Sequence, residues 1–244
     1  ETYRVEFYAS NNLTGGYSFL IEEAVDDLPD SRAEATEINL GETVEHSADG
    51  TGDKEWFKFT TTDNYAYYRI TSKNVSINGY GFFMYLYDYD EQLIVSHEDL
   101  KYDNSASSVY KLEPGTTYYM NCYASNGLIG NYSLGIKEIT DDAYDDKEHA
   151  QEIKLNTEYT RKMEAAGDMD YFKFTTGDDE NYTITLKNMG DTGTYGLHMY
   201  LYSKTNEQMS NIYDLKTGSN TSAKVTLKPN TTYYIEFHVS NSVK

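Results

Sequence analysis

The sequence predicts an all-β protein made of two tandem antiparallel β-sandwich lobes, jelly-roll-like in outline, with one short helix per lobe. Three observations predict it: an internal repeat, alternation of apolar and polar residues with period two, and turn residues between the alternating runs. Gly52-Asp53-Lys54-Glu55-Trp56-Phe57-Lys58-Phe59-Thr60-Thr61 recurs as Gly167-Asp168-Met169-Asp170-Tyr171-Phe172-Lys173-Phe174-Thr175-Thr176, a displacement of 168 − 53 = 115. The same displacement carries Met84-Tyr85-Leu86-Tyr87 onto Met199-Tyr200-Leu201-Tyr202. It also carries Pro114-Gly115-Thr116-Thr117-Tyr118-Tyr119 onto Pro229-Asn230-Thr231-Thr232-Tyr233-Tyr234. A near-gapless match of this length marks a duplicated unit, and 244 residues hold two units of about half that length.

The elements are taken in chain order. Thr2-Tyr3 through Asn11, then Gly16-Tyr17-Ser18, match Thr117-Tyr118 through Asn126 and Asn131-Tyr132-Ser133, so residues 1–22 read as a terminal hairpin from a partial third copy. Such a hairpin is marginal alone, so it is expected to pair with a lobe of its own chain or a neighbour's. The second copy stops before the segment matching Asn131 to Glu138. The chain thus reads as a piece of a longer protein, or as one whose first segment supplies a missing edge. Acidic stretches at Glu22–Asp30 and Glu138–Asp146 read as boundaries, placing the first lobe at 23–139 and the second at 140–244. Asp30–Ile38 and Asp145–Ile153 each open on Asp, an N-cap residue, and carry Ala, Glu or Gln, so each reads as a short helix. Phe57 and Phe59 alternate with Trp56 and Lys58, and Met199 and Leu201 with Tyr200 and Tyr202, which puts one face inside and one in water. The expected core is Phe57, Phe59, Met84, Leu86, Tyr118 and Met120, with Phe172, Phe174, Met199, Leu201, Tyr233 and Ile235 in the second lobe. Pro114-Gly115 and Pro229-Asn230 suit a turn with positive φ at its second residue.

Charge excludes several classes of partner. Lys and Arg number 20 against 40 Asp and Glu, a net charge of −20. Nucleic acid and anionic lipid surfaces both require concentrated positive charge, and no apolar run approaches the ~18 residues of a membrane helix. One Cys excludes a disulfide framework or a Cys-based zinc site, and Cys122, aligned with Phe7 and Phe237, reads as core. No His lies in H-E-x-x-H, and there is no P-loop or G-x-S-x-G elbow. The expectation is a protein without catalytic residues, since duplication favours two similar binding surfaces over one asymmetric active site.

The order of acidic linker, Ala-containing turn, GD-x-[DE]-[WY]-F-x-F-T strand, M-Y-L-Y strand and P-[GN]-T-T-Y-Y turn resembles the bacterial pre-peptidase C-terminal type of β-sandwich domain, once per unit. The resemblance implies a non-catalytic appendage of a secreted or cell-surface multidomain protein; relatives bind collagen, calcium or polysaccharide. The tandem, Tyr-rich form looks similar to starch-adherence modules of gut Gram-positive bacteria.

Two sets of residues are candidates for binding. The outward aromatics Trp56, Tyr85, Tyr87, Tyr119 and Tyr123, with Tyr171, Tyr200, Tyr202 and Tyr234 in the second lobe, either pair across strands or form a platform for sugar rings. Their flat apolar faces suit pyranose C–H groups and their hydroxyls suit sugar hydroxyls. Lys101 and Lys216, in the shared Asp-Leu-Lys, are the polar partners, and the loop tyrosines Tyr65, Tyr80, Tyr102, Tyr195 and Tyr213 are the fallback. The linker carboxylates Asp26, Asp27, Asp30, Asp141, Asp142 and Asp145 either form a solvated hinge or ligate calcium, which takes six to eight hard oxygens. Asp53 and Asp168 read as residues that fix the turn into the next strand. The expected ligand is a polysaccharide, an α-glucan such as starch; the alternative is a structural or protein-binding adhesion module, calcium-stabilised.

Overall fold

The computed structural model describes residues 2–8, 15–21, 28–50, 52–64, 66–79, 81–165, 167–190 and 196–239. Among these, the first lobe contains β1 (Thr36–Glu37), β2 (Thr43–Ala48), β3 (Glu55–Thr60), β4 (Ala66–Asn74), β5 (Phe82–Tyr87), β6 (Leu93–Leu100), β7 (Ser105–Leu112), β8 (Thr117–Ala124) and β9 (Gly130–Thr140). They form two sheets, ordered β1-β3-β8-β5-β6 and β2-β9-β4-β7. The second lobe contains β10 (Gln151–Glu152), β11 (Met169–Thr175), β12 (Asn181–Lys187), β13 (Leu197–Tyr202), β14 (Gln208–Leu215), β15 (Asn220–Thr226) and β16 (Thr232–Val239). Its first sheet, β10-β11-β16-β13-β14, repeats that of the first lobe; its second holds only β12-β15.

Alternation along the strands builds the core between the sheets. Phe57, Phe59, Met84, Leu86, Tyr118 and Met120 are buried in the first lobe, joined by Tyr68, Ile70, Tyr132, Leu134 and Ile136 from the opposing sheet. Phe172 is buried in the second lobe, where Phe174, Met199, Leu201, Tyr233 and Ile235 cluster. Cys122 is buried in the first core, and burial raises its thiol pKa. The turns repeat as well: Thr61 Oγ1 donates to Glu113 O and Thr176 Oγ1 to Lys228 O, both at 2.7 Å. Gly115 and Asn230, the second turn residues, both have positive φ.

The expected helix in each lobe is not present. In the first, the stretch 30–38 holds only a single 3₁₀ turn, Arg32–Glu34; the second has no helix among its described residues. Ala35 and Ile38 are buried, and the chain between them runs extended as β1, parallel to β3. The Ile38 amide donates to Lys58 O at 2.8 Å, as Ile153 does to Lys173 O. Burying two apolar residues against the sheet edge outweighs the helix propensity of the intervening residues, a weak term per residue. Residues 2–8 and 15–21 form no ladder with either lobe; Phe7 stacks on Tyr17 at 5.0 Å and lies 4.8 Å from Phe19. No described helix is long and apolar enough to cross a membrane.

Candidate functional site

The outward face of each five-stranded sheet carries a row of aromatic rings. In the first lobe Trp56 on β3, Tyr87 and Tyr85 on β5, and Tyr123 on β8 form a chain of neighbours: 6.0 Å from Trp56 to Tyr87, 6.4 Å on to Tyr85, and 6.0 Å on to Tyr123. Phe83 extends it, 5.2 Å from Tyr123. These rings are half-buried and the tyrosines lie near-parallel, so they share faces with one another. Burial, then a hydrogen bond with Tyr123, raises the Tyr85 pKa, so the hydroxyl stays protonated and able to donate. Tyr119, opposite Tyr87 across β5 and β8, is covered by the Arg32 guanidinium at 4.2 Å.

The second lobe builds a related row with different chemistry. Tyr202 and Tyr200 stack at 6.1 Å, His238 lies 5.4 Å from Tyr200, and His198 lies 5.1 Å from His238. Tyr213, which the sequence reading leaves in a loop, sits on β14 edge-on to Tyr200 at 5.2 Å. The Tyr171 hydroxyl donates to Glu236 Oε2 at 2.5 Å, and Glu236 Oε1 meets His238 Nδ1 at 3.0 Å. Those bonds, His238 first, hold the Glu236 carboxyl below its ordinary pKa, so a carboxylate stands among the rings. Lys147 Nζ lies 4.3 Å above the Tyr234 ring, in the role of Arg32 over Tyr119.

Lys101 and Lys216 stand just beyond β6 and β14. Each pairs with the Asp two residues earlier, Lys101 with Asp99 at 2.7 Å and Lys216 with Asp214 at 2.6 Å. Lys216 and Tyr213 both line a groove of about 570 Å³ between β14 and β15. Of the other fallback tyrosines, Tyr102 is exposed, while Tyr65, Tyr80 and Tyr195 lie outside the described residues.

The second candidate is an acidic junction where the lobes meet. One oxygen each from Asp141, Asp145 and Asp168 lie within 4.8 Å of one another. Tyr67, from β4 of the first lobe, places its hydroxyl 3.0 Å from Asp145 Oδ2 and 3.1 Å from Asp168 Oδ1. Lys111, on β7, bonds Asp145 and lies 3.8 Å from Asp141. Asp170 lies deeper, fully buried, with both carboxylate oxygens lacking a hydrogen-bond partner. Burial, then the charges of Asp168 and Asp142, pushes its pKa up to about 8. Burial also raises Asp168 and Glu164, which interact with each other. Asp141, Asp145 and Asp168 converge hard oxygen donors of the kind calcium takes, beside the unpartnered carboxylate of Asp170. Asp142 turns elsewhere, accepting from the Lys162 amide at 3.0 Å. In the first lobe Asp30 accepts from the Lys54 amide at 3.0 Å; Asp26 and Asp27 lie outside the described residues.

No family model matches the chain, and no curated protein matches it. Among solved structures it is similar to the pre-peptidase C-terminal domain of collagenase from Bacillus anthracis, at 21% identity over 46% of this chain and 100% of that one, with a TM-score of 0.37. It is also similar to tripeptidyl peptidase 2, at 12% identity over 85% of this chain and 22% of that one (TM-score 0.30). A third is a fucolectin from striped bass (Morone saxatilis) serum, at 8% identity over 81% and 80% (TM-score 0.24). The β-sandwich reading rests on the sheets themselves, and none of these likenesses adds a ligand or an activity to it.

Sequence reasoning missed Asp170, Glu164 and the junction role of Asp168, along with Phe83, His198 and Glu236 in the aromatic rows. A signal for Asp170 was present. It falls in phase with the inward Phe172 and Phe174, as Glu55 does with Phe57 and Phe59. A carboxylate on the buried phase of a strand needs a partner.

Proposed function

We propose that the protein is a non-catalytic, extracellular carbohydrate-binding module that takes an α-glucan such as starch on the outward aromatic face of each lobe. The observation that carries the reading is the duplication of the ring row: Trp56, Tyr87, Tyr85 and Tyr123 in one lobe, Tyr202, Tyr200 and His238 in the other. Half-buried rings supply apolar area, and their hydroxyls, with Glu236 and His238, supply donors and acceptors for sugar hydroxyls. Trp56 ends its row and offers the largest single surface. Two such faces on one chain gain avidity on a polymer, because the second contact is intramolecular. Electrophoresis through a gel containing amylopectin tests this: retarded migration is expected. Unretarded migration against several polysaccharides favours the adhesion-module alternative.

A second reading concerns the junction and rests on Asp170. Asp141, Asp145 and Asp168 would hold calcium, whose charge would offset that of the buried Asp170 and tie the second lobe to the first through Asp145, Asp168 and Tyr67.

A further inference from the structure

The two lobes close the same edge with different chemistry. In the first lobe His97 of β6 bridges the two sheets. Its Nδ1 meets Ser72 Oγ of β4 at 2.7 Å and its Nε2 meets Ser108 Oγ of β7 at 2.9 Å. His97 and Ser72 are buried, so each ring nitrogen finds a hydroxyl in a dry site. In the second lobe β14 and β15 match β6 and β7 at the displacement of 115, which carries His97 onto Ile212 and Ser108 onto Ala223. The pairing agrees: Met84 faces His97, and Met199 faces Ile212. For β4 and β12 the displacement is 182 − 68 = 114, because the Thr62 amide donates to the Tyr68 hydroxyl and the Gly177 amide to the Tyr182 hydroxyl. Asn74 Nδ2 likewise donates to Leu100 O and Asn188 Nδ2 to Leu215 O. Ser72 therefore falls on Leu186. Three aliphatic residues stand where the first lobe has a hydrogen-bonded trio, and none can bond across the gap.

At this edge the second lobe has its groove of about 570 Å³, lined by Ile212 and Ala223 together with Tyr213, Asp214, Lys216 and Ser219. The strands that form it, β14 and β15, both have a full counterpart in the first lobe, so the contrast is one of side chains. The groove is continuous with the aromatic row. Tyr213 belongs to both: its ring stands edge-on to Tyr200 at 5.2 Å and lies 5.9 Å from His198, and it lines the groove. It is 53% exposed. Its counterpart in the first lobe is Glu98, whose carboxylate accepts from the Tyr85 hydroxyl. The first row thus meets a carboxylate at β6, whereas the second runs on as a ring over β14.

We propose that the second lobe's binding face continues over Tyr213 into the groove between β14 and β15, so that it holds a longer stretch of α-glucan chain than the first lobe's face. This rests on the glucan reading of the two faces. Tyr213 offers one more ring for a pyranose at the lip of the groove. Polar side chains outnumber aliphatic ones in the lining, which suits a hydroxyl-bearing chain and not an apolar segment. Asp214 and Lys216 pair at 2.6 Å with each side chain about half exposed. A sugar hydroxyl beside them can donate to the carboxylate and accept from the ammonium, and such charge-assisted bonds are the stronger kind. The volume lies within the ~300–1,000 Å³ of small-ligand sites.

Calorimetry on the full 244-residue chain tests this with maltooligosaccharides of increasing length. Trp56→Ala with Tyr85→Ala leaves the second face to bind alone, and Tyr200→Ala with Tyr202→Ala leaves the first. The affinity of the second face is expected to go on rising with chain length after that of the first has levelled off. Tyr213→Glu, added to the chain that keeps its second face, is expected to lower affinity for the longest oligosaccharide by about tenfold, one contact of hot-spot size. Affinity for the shortest stays unchanged. Thr221→Arg, which fills the groove without touching the row, does the same. Both positions are exposed, so circular dichroism stays unchanged. Equal length dependence at the two faces overturns the inference and leaves the glucan reading standing. So does long-chain affinity that survives both substitutions. Absence of binding at either face, at every length, overturns the glucan reading and the inference with it.

Discussion

Tyr67 of the first lobe hydrogen-bonds Asp168 of the second at 3.1 Å, while the same hydroxyl lies 3.0 Å from Asp145. One phenol proton thus serves two carboxylates, and burial, together with those two charges, raises the Tyr67 pKa. Tyr67→Phe removes the proton and leaves both acceptors in a dry site. The expected loss is about 1–3 kcal/mol, the range for stranding a buried hydrogen-bonding group, read as a lower urea midpoint at unchanged slope.

Asp170 makes the stability depend on pH in an unusual direction. Its folded pKa lies near 8, above the ordinary carboxyl value of 3.8, so the folded chain keeps a proton that the unfolded chain releases. Its contribution is fully present below the unfolded value and is lost as pH rises toward the folded one. Without metal, stability is expected to fall between about pH 4 and about pH 8. Asp170→Asn flattens that part of the profile, as thermal melts in chelator at several pH values would record.

Calcium should reverse the trend, since it binds the deprotonated carboxylates. At a hundredfold excess over its dissociation constant, a ligand that binds only the folded state adds about 2.7 kcal/mol. Calorimetry should show a higher Tm with calcium than with chelator, a larger gap at higher pH, and no gap in Asp168→Asn with Asp170→Asn. Equal Tm values with and without calcium in the wild-type chain contradict the site.

The sheets were legible because duplication and alternation are local signals. Phe57 and Phe172 announce the buried phase of β3 and β11 on their own. The extended run from Ala35 to Ile38 was not legible, because its Thr and Glu take either form and the deciding contact, the Ile38 amide with Lys58 O, is tertiary. The acidic junction was half legible. Asp141 and Asp145 lie in one acidic stretch, but Asp168 and Asp170 arrive from β11 and its approach, and Tyr67 and Lys111 from the other lobe. The aromatic rows were legible residue by residue but not as contacts, which require the order β3-β8-β5.

Arg32 fixes the turn after β5. Its guanidinium donates to Asp88 O at 3.0 Å and Tyr89 O at 2.6 Å, and pairs with Glu91 at 2.8 Å. Lys147 repeats the part on Ser203 O and Lys204 O, both at 3.0 Å. Arg32→Met keeps the stem but removes every donor, and is expected to destabilise the chain by about 0.5–1.5 kcal/mol. Arg32→Lys, with a single ammonium in place of a fork, recovers part of that. Denaturant melts of the two variants give the comparison.

The central claim is that the aromatic faces bind glucan, and Trp56, the only tryptophan, reports on it directly. Titration with a maltooligosaccharide while recording tryptophan fluorescence is the decisive measurement. Binding at the row predicts quenching or a blue shift that saturates. In Trp56→Ala, calorimetric affinity at that face falls by about 2 kcal/mol or more if the ring is a hot spot, with the circular dichroism spectrum unchanged. Fluorescence that does not respond to the sugar, or binding undiminished in Trp56→Ala with Tyr171→Ala, contradicts it.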